Sequence, residues 1–133
     1  MSDERVSTAV QIRFRDLDSL SHVNNAVYTT YLEEARIAYN KEVLDLTPGE
    51  YTFVIANVEI SFTRPIEYGE EVEIFIEAVA IGETSWTSEY EVYGDGELAA
   101  TGESTRVVLD PETMEPTRVP DDIRNAITEF EGL

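Results

Sequence analysis

A chain of 133 residues with 42% hydrophobic and 10% aromatic side chains suits a single folded domain over 1–133 with one core and does not have the composition of a disordered chain. The formal net charge of -19 comes from 28 acidic residues against nine basic ones, of which only Lys41 is a lysine; such a surface repels phosphate and excludes nucleic acid and anionic membrane as partners. Cysteine is absent, which removes disulfides, thiolate catalysis and cysteine-ligated zinc and fits a reducing compartment.

No apolar run approaches the ~20 residues of a membrane span, so the chain is expected to be cytoplasmic. The acidic, lysine-poor balance is that of a halophilic protein, because molar salt shortens the screening length to ~3 Å and suppresses self-repulsion.

In chain order, VSTAVQIRFR (6–15) alternates Val10, Ile12 and Phe14 against Gln11, Arg13 and Arg15, the period of a strand. From Val27 the period changes. Val27, Tyr28, Tyr31, Leu32, Ala35, Ala38, Tyr39 and Val43 recur at three- and four-residue steps, which predicts an amphipathic helix ending before Pro48-Gly49. Asn24 or Asn25 is its natural N-cap. YTFVIANVEISFTRPI then sets Val54, Ala56, Val58, Ile60 and Phe62 on one face of a strand that stops at Pro65. Val72, Ile74, Ile76, Ala78 and Ala80 alternate in the next strand, which turns at Gly82 into residues 84–93. Gly94-Asp95-Gly96 leads into a last strand closed by Pro111. After Pro120, Ile123, Ile127 and Phe130 mark the buried edge of a short C-terminal helix. Strand, long helix and four strands joined by turns give an α+β domain: a five-stranded antiparallel sheet wrapped around one helix. One helix covers one face of such a sheet, so edge pairing or helix-side contact is expected to make a homodimer or homotetramer.

The loop DLDSLSHVNN (16–25) joins the first strand to the helix N-terminus, where unpaired backbone N–H groups and the helix dipole favour developing negative charge. Asp16 and Asp18 point the same way if strand geometry persists, and either is suited to activate water or attack a carbonyl, or simply to form an Asx turn. His22 is the only histidine, which leaves no zinc set. A Ser-His-Asp triad drawn from Ser19, Ser21 or Ser104 has no G-x-S-x-G elbow to support it.

DLDSLSHVNNAVYTTYLEEAR resembles the D-x-D-x-x-G-H-V-N-N-x-x-Y-x-x-Y-x-E-x-A-R signature of the 4-hydroxybenzoyl-CoA thioesterase-like family. The resemblance continues through VEISFTRPIEYGEEVEI, IGETSWTSEYEVY and GELAATGESTRVVLD and spans nearly the whole chain. It implies a hotdog fold and an acyl-CoA thioesterase that yields free acid and CoA, with no cofactor because CoA is part of the substrate. By the same resemblance Asp18 is the catalytic base or nucleophile and Asp16 shapes the loop. His22 and Asn24 orient the reacting groups, and Asn25 offers its backbone N–H at the helix start. Tyr28 and Tyr31 line the acyl pocket or pack the core, and Arg64, Ser85 and Trp86 are further substrate-binding candidates, in sites at subunit interfaces.

Two departures stand out. Ser21 replaces the family's glycine before the histidine, and Glu83-Thr84-Ser85-Trp86 lacks the basic side chains with which some relatives hold CoA phosphates. Arg64, Arg106 and Arg118 are the remaining phosphate candidates. Glu33 and Glu34 stand on the helix, where another hotdog subgroup carries its acid; a pairing of Glu33 with Arg36 is the simpler role. The alternatives are a non-catalytic hotdog module that binds CoA esters or lipids, and a thioesterase acting on acyl-carrier protein, whose acidity opposes docking to this surface.

Overall fold

The computed structural model describes residues 5–133. Five strands, β1 (Val6–Val10), β2 (Thr52–Phe62), β3 (Val72–Ile81), β4 (Ser85–Gly94) and β5 (Glu97–Leu109), form one antiparallel sheet in the order β1-β3-β4-β5-β2. A long helix, α1 (Tyr28–Glu42), lies across one face, and a shorter helix, α2 (Asp121–Glu131), packs beside β3. This is the expected hotdog arrangement. No helix among the described residues is long and apolar enough to cross a membrane.

The inner face follows from register. Directly paired residues share a side of the sheet, and Ile76, Tyr90 and Gly102 run in one row beneath the helix, with Leu32 of α1 resting on Gly102. A Cβ at Gly102 would stand 3.2 Å from Leu32 Cδ1 and 3.3 Å from the Glu59 carbonyl oxygen, so glycine lets the helix settle onto β5. Tyr28, Tyr31, Leu32, Ala35 and Tyr39 are buried along α1, as their spacing predicts. Ile123 and Ile127 anchor α2, whereas Phe130 stays 37% exposed, its ring edge-on to Tyr39.

Three strands differ from their periodicity. In β3 a bulge at Val79 leaves Ala80, expected on the buried face, exposed, and brings Ile81 opposite Trp86 instead. β1 stops at Val10 instead of continuing to Arg15, and Phe14–Asp16 form a 3-10 turn because the Asp16 carboxylate accepts the Arg13 backbone N–H at 2.9 Å. Phe14 is left 82% exposed. In β2 a bulge falls at Ala56, between the pairs Ile55–Arg106 and Asn57–Thr105. The extra residue resets the alternation, so Ile55 shares the helix side with Val58, Ile60 and Phe62, while Val54 turns to the opposite face with Val107.

β2 is a sheet edge that α1 leaves largely uncovered, since the helix packs over β1 and β3. Ile55, Val58 and Phe62 are accordingly 39%, 36% and 44% exposed. On the outer face Glu59, Glu103, Glu89 and Glu77 stand directly opposite one another across β2, β5, β4 and β3, four like charges in one row.

Candidate active site

The polar loop is built by its own backbone and by the segment after β2. Asp18 closes a turn in which the Ser21 N–H donates to the Asp18 carbonyl at 3.1 Å, and Asp18 Oδ1 accepts the backbone N–H groups of Leu20 (2.8 Å) and His22 (3.2 Å). Asp18 therefore forms an Asx turn through one carboxylate oxygen and keeps Oδ2 free of any hydrogen bond among the described residues. The turn demands a left-handed residue, and Ser21 takes it at φ 64°. The Val23 N–H donates to the Ile66 carbonyl at 2.8 Å and holds the loop against the strand end that carries Arg64 and Pro65.

Asp16 and Asp18 do not point the same way. Asp16 is buried, 3% exposed, and its Oδ2 accepts the Tyr31 hydroxyl at 3.0 Å as well as the Arg13 N–H. Burial pushes its carboxyl upward, but the Arg13 backbone bond, the Tyr31 hydroxyl and the Arg13 charge outweigh burial and hold it below the ordinary aspartate range. Tyr31 is pushed well above the ordinary phenol range, first by burial and then by that same bond. The Asp16 carbonyl also receives the Asn24 N–H at 2.8 Å, so Asp16 ties the segment after β1, α1 and the loop together.

Just before α1, Asn24 is the N-cap of a 3-10 turn (Asn25–Val27) that leads into the helix, its Oδ1 accepting the Ala26 N–H at 2.9 Å; Val27, at the N-cap of α1 itself, makes no side-chain capping bond. The Val27 N–H is taken by the Asn24 carbonyl, while the Asn25 N–H makes no hydrogen bond among the described residues. Asp18, His22, Asn25 and Tyr28 line one cavity of about 260 Å³, together with Phe62 and Arg64. Sequence reasoning did not single out Phe62; its ring stands edge-on to Tyr28 at 4.9 Å, and its place at the last inner-face position of β2 was the available signal.

Other candidates lie elsewhere or are already engaged. Asn24 is spent on capping, and Tyr31 is buried on Asp16 and borders a separate cavity with Arg13 and Glu34. Arg64 reaches the cavity, but its Nη1 and Nη2 grip both Glu70 oxygens at 3.2 and 2.8 Å, and Nη1 also donates to the Pro65 carbonyl. Arg118 pairs at the surface with Glu83 and Asp121. Ser85 and Trp86 begin β4 opposite Val107 and Arg106, outside the cavity lining, and Trp86 is 1% exposed against Phe53. Arg106 is buried as well, 4% exposed. Among the described residues, then, no guanidinium of these three stands both exposed and unpaired for a phosphate.

A charge-stabilising donor, a carboxylate oxygen free of bonds and an aromatic wall thus meet where the central helix begins, an arrangement suited to acyl transfer. The thioesterase-like superfamily model matches residues 12–127. Long-chain acyl-CoA thioesterase FadM of Escherichia coli (strain K12) is 25% identical over 130 residues, covering 94% of this chain and 98% of that protein. YsmA of Bacillus subtilis (strain 168) is 32% identical over 82 residues, and the match spans 61% of this chain and 56% of that protein. Among solved structures, a thioesterase from Thermus thermophilus, complexed with coenzyme A and Zn, superimposes with a TM-score of 0.87 at 40% identity, covering 96% of this chain and 95% of that one. The chain belongs to the thioesterase-like superfamily and is a thioester hydrolase of the hotdog fold.

Proposed function

We propose that the protein hydrolyses acyl-CoA thioesters to free acid and CoA at the cavity in front of α1. The thioester carbonyl oxygen lies against the Asn25 N–H, whose hydrogen bond strengthens as the oxygen gains charge on attack. Asp18 acts through Oδ2, either by taking a proton from water or by attacking the carbonyl carbon. Its Oδ1 stays fixed by two backbone donors, so the carboxylate is oriented before substrate arrives. His22 borders the same space and positions water or the thioester, while Tyr28 and Phe62 offer an apolar wall to the acyl group.

The observation that carries this reading is the convergence of Asp18, Asn25 and Tyr28 on one cavity at the helix start. It is tested by thiol release from a panel of acyl-CoAs: Asp18→Asn should lose at least ~100-fold in kcat with its fold intact, the scale of a positioned acid–base group. Equal turnover by both proteins overturns the role of Asp18, and no turnover by either favours a module that only binds CoA esters.

The active form is proposed to be a homodimer or higher assembly joined along β2, in which the partner completes the acyl channel. Support comes from the uncovered apolar residues of that edge strand and from a cavity of about 260 Å³, smaller than the ~300–1,000 Å³ of ordinary ligand sites. Val58→Lys should shift the protein to monomer in sedimentation and lower activity with it. A monomeric wild type, or an assembly unchanged in Val58→Lys, refutes this part. Ser85 reaches substrate only if a second copy brings it there, whereas Trp86 is packed in the core against Phe53. The acidic surface and the glutamate row support an enzyme working in concentrated salt, with activity rising from low to molar NaCl.

A further inference from the structure

In a chain with 28 acidic residues and nine basic ones, Arg5, Arg13, Arg64 and Arg118 each pair with a carboxylate. Arg106 is buried and pairs with none among the described residues. It points from the inner face of β5 toward α1 and is 4% exposed, and its only side-chain hydrogen bond among the described residues is from Nη1 to Asn40 Oδ1, at 2.7 Å. Nε and Nη2, the two donors of the side-on fork that grips carboxylates and other anions, are both buried and unpartnered among the described residues. Trp86, directly across the β4–β5 ladder, carries its ring 4.8 Å from the Arg106 guanidinium. The Trp86 indole Nε1 and the Ser88 hydroxyl, two positions along the same face of β4, are also buried without partners.

Four of the six buried, unpartnered side-chain atoms among the described residues thus gather on one patch of the inner face, and all four can donate. A second guanidinium stands nearby. Arg36 of α1 donates to the Tyr90 hydroxyl at 3.2 Å, forms no ion pair among the described residues, and adds its positive charge to the surroundings of Arg106. A buried cation without a counter-charge is costly, and desolvation pushes the Arg106 guanidinium down to about 10. Donors, positive charge and the lack of a protein carboxylate all call for the same missing partner.

We propose that a compact monovalent anion, a halide or a small carboxylate, binds between α1 and β4–β5 on the Nε/Nη2 fork of Arg106, with the Trp86 indole and the Ser88 hydroxyl as further donors. Aromatic walls from Trp86 and Phe53 enclose the guanidinium and exclude a bulky phosphate ester. The anion neutralises the buried cation and ties the C-terminal half of α1 to β5 through the Arg106–Asn40 bond. This inference stands apart from the thioesterase reading, since it concerns an interior site outside the cavity in front of α1.

Trp86 is the only tryptophan, so its emission reports this position alone. Bromide is titrated into the whole protein at constant ionic strength, with sodium gluconate as the balancing salt. The expected result is saturable quenching that chloride reverses and that Arg106→Gln abolishes while circular dichroism stays unchanged. Reversal by acetate identifies the small-carboxylate class as able to occupy the site, and reversal by chloride alone identifies a halide site. Absent or non-saturating quenching in the wild type, or the same saturating curve in Arg106→Gln, overturns the proposal. If that variant does not fold, wild-type melting decides: chloride at ten times its dissociation constant should raise the folded-to-unfolded ratio about eleven-fold over gluconate at equal ionic strength. Coincident melting curves in the two salts then overturn it.

Discussion

Replacing Tyr31 by phenylalanine deletes one hydroxyl and almost no volume, and the hydroxyl it deletes is bonded to a buried carboxylate. Tyr31 and Asp16 are each 3% exposed and meet at 3.0 Å, so water cannot readily replace the lost donor. A hydrogen bond to a charged group contributes about 1.5–3 kcal/mol. With a urea dependence near ~2 kcal/mol per molar for a domain of this size, the unfolding midpoint of Tyr31→Phe should fall by roughly 1 M at pH 7. The sign of the pH dependence follows from Asp16, whose carboxyl lies below its unfolded value of 3.8. Stability drawn from a depressed carboxyl is fully present above the unfolded value and is lost as pH falls through the folded one. The gap between wild type and Tyr31→Phe should therefore be complete at pH 7 and narrow as pH falls below 3.8 toward pH 3. A gap of the same size at both pH values, or none at pH 7, would refute an ionised Asp16 as the acceptor.

Ser21 holds φ 64° without glycine's freedom, so Ser21→Gly should stabilise the protein by about 0.5–1 kcal/mol in thermal unfolding while leaving KM for acyl-CoA within two-fold, by rough expectation. Glu131 accepts both the Tyr39 hydroxyl and the Ala78 N–H at 2.8 Å, the latter beside the β3 bulge. Glu131→Ala strands the buried Tyr39 hydroxyl and should cost about 1–3 kcal/mol, measured by urea unfolding. Tyr39→Phe in the Glu131→Ala background should recover part of that loss, because the stranded donor is gone.

Hydropathy period carried most of the fold. Apolar positions along α1, and along β3 as far as Ala78, fall on the buried faces because nothing interrupts their period there, and the approach to the helix was visible in Asn24. Periodicity failed where one residue changes the count. The extra Ala56 turns Val54 outward, and a single carboxylate, Asp16, folds Arg13–Asp16 into a turn where alternation continued to suggest strand. The candidate site was legible as a motif to the extent that Asp18, His22, Asn25 and Tyr28 line one cavity. What the motif did not reveal was division of labour: Asn24 caps, Asp16 is buried under Tyr31, and Arg64 is gripped by Glu70 six residues on. These assignments depend on which partner each polar group meets in three dimensions, and spacing along the chain does not encode that for contacts such as Arg106 with Trp86.

The glutamates 59, 103, 89 and 77 form a line of fixed charge across the sheet's outer surface, perpendicular to the strands. Two molecules that approach through this surface bring two such lines together, and at ~0.01 M ionic strength, where charge is felt over ~30 Å, that stacking is repelled long before contact. At ~1 M, with a reach of ~3 Å, the barrier collapses and the outer surface becomes open to a neighbour. Ionic strength thereby governs access to this surface, which dilute solution bars to a second copy and concentrated salt opens.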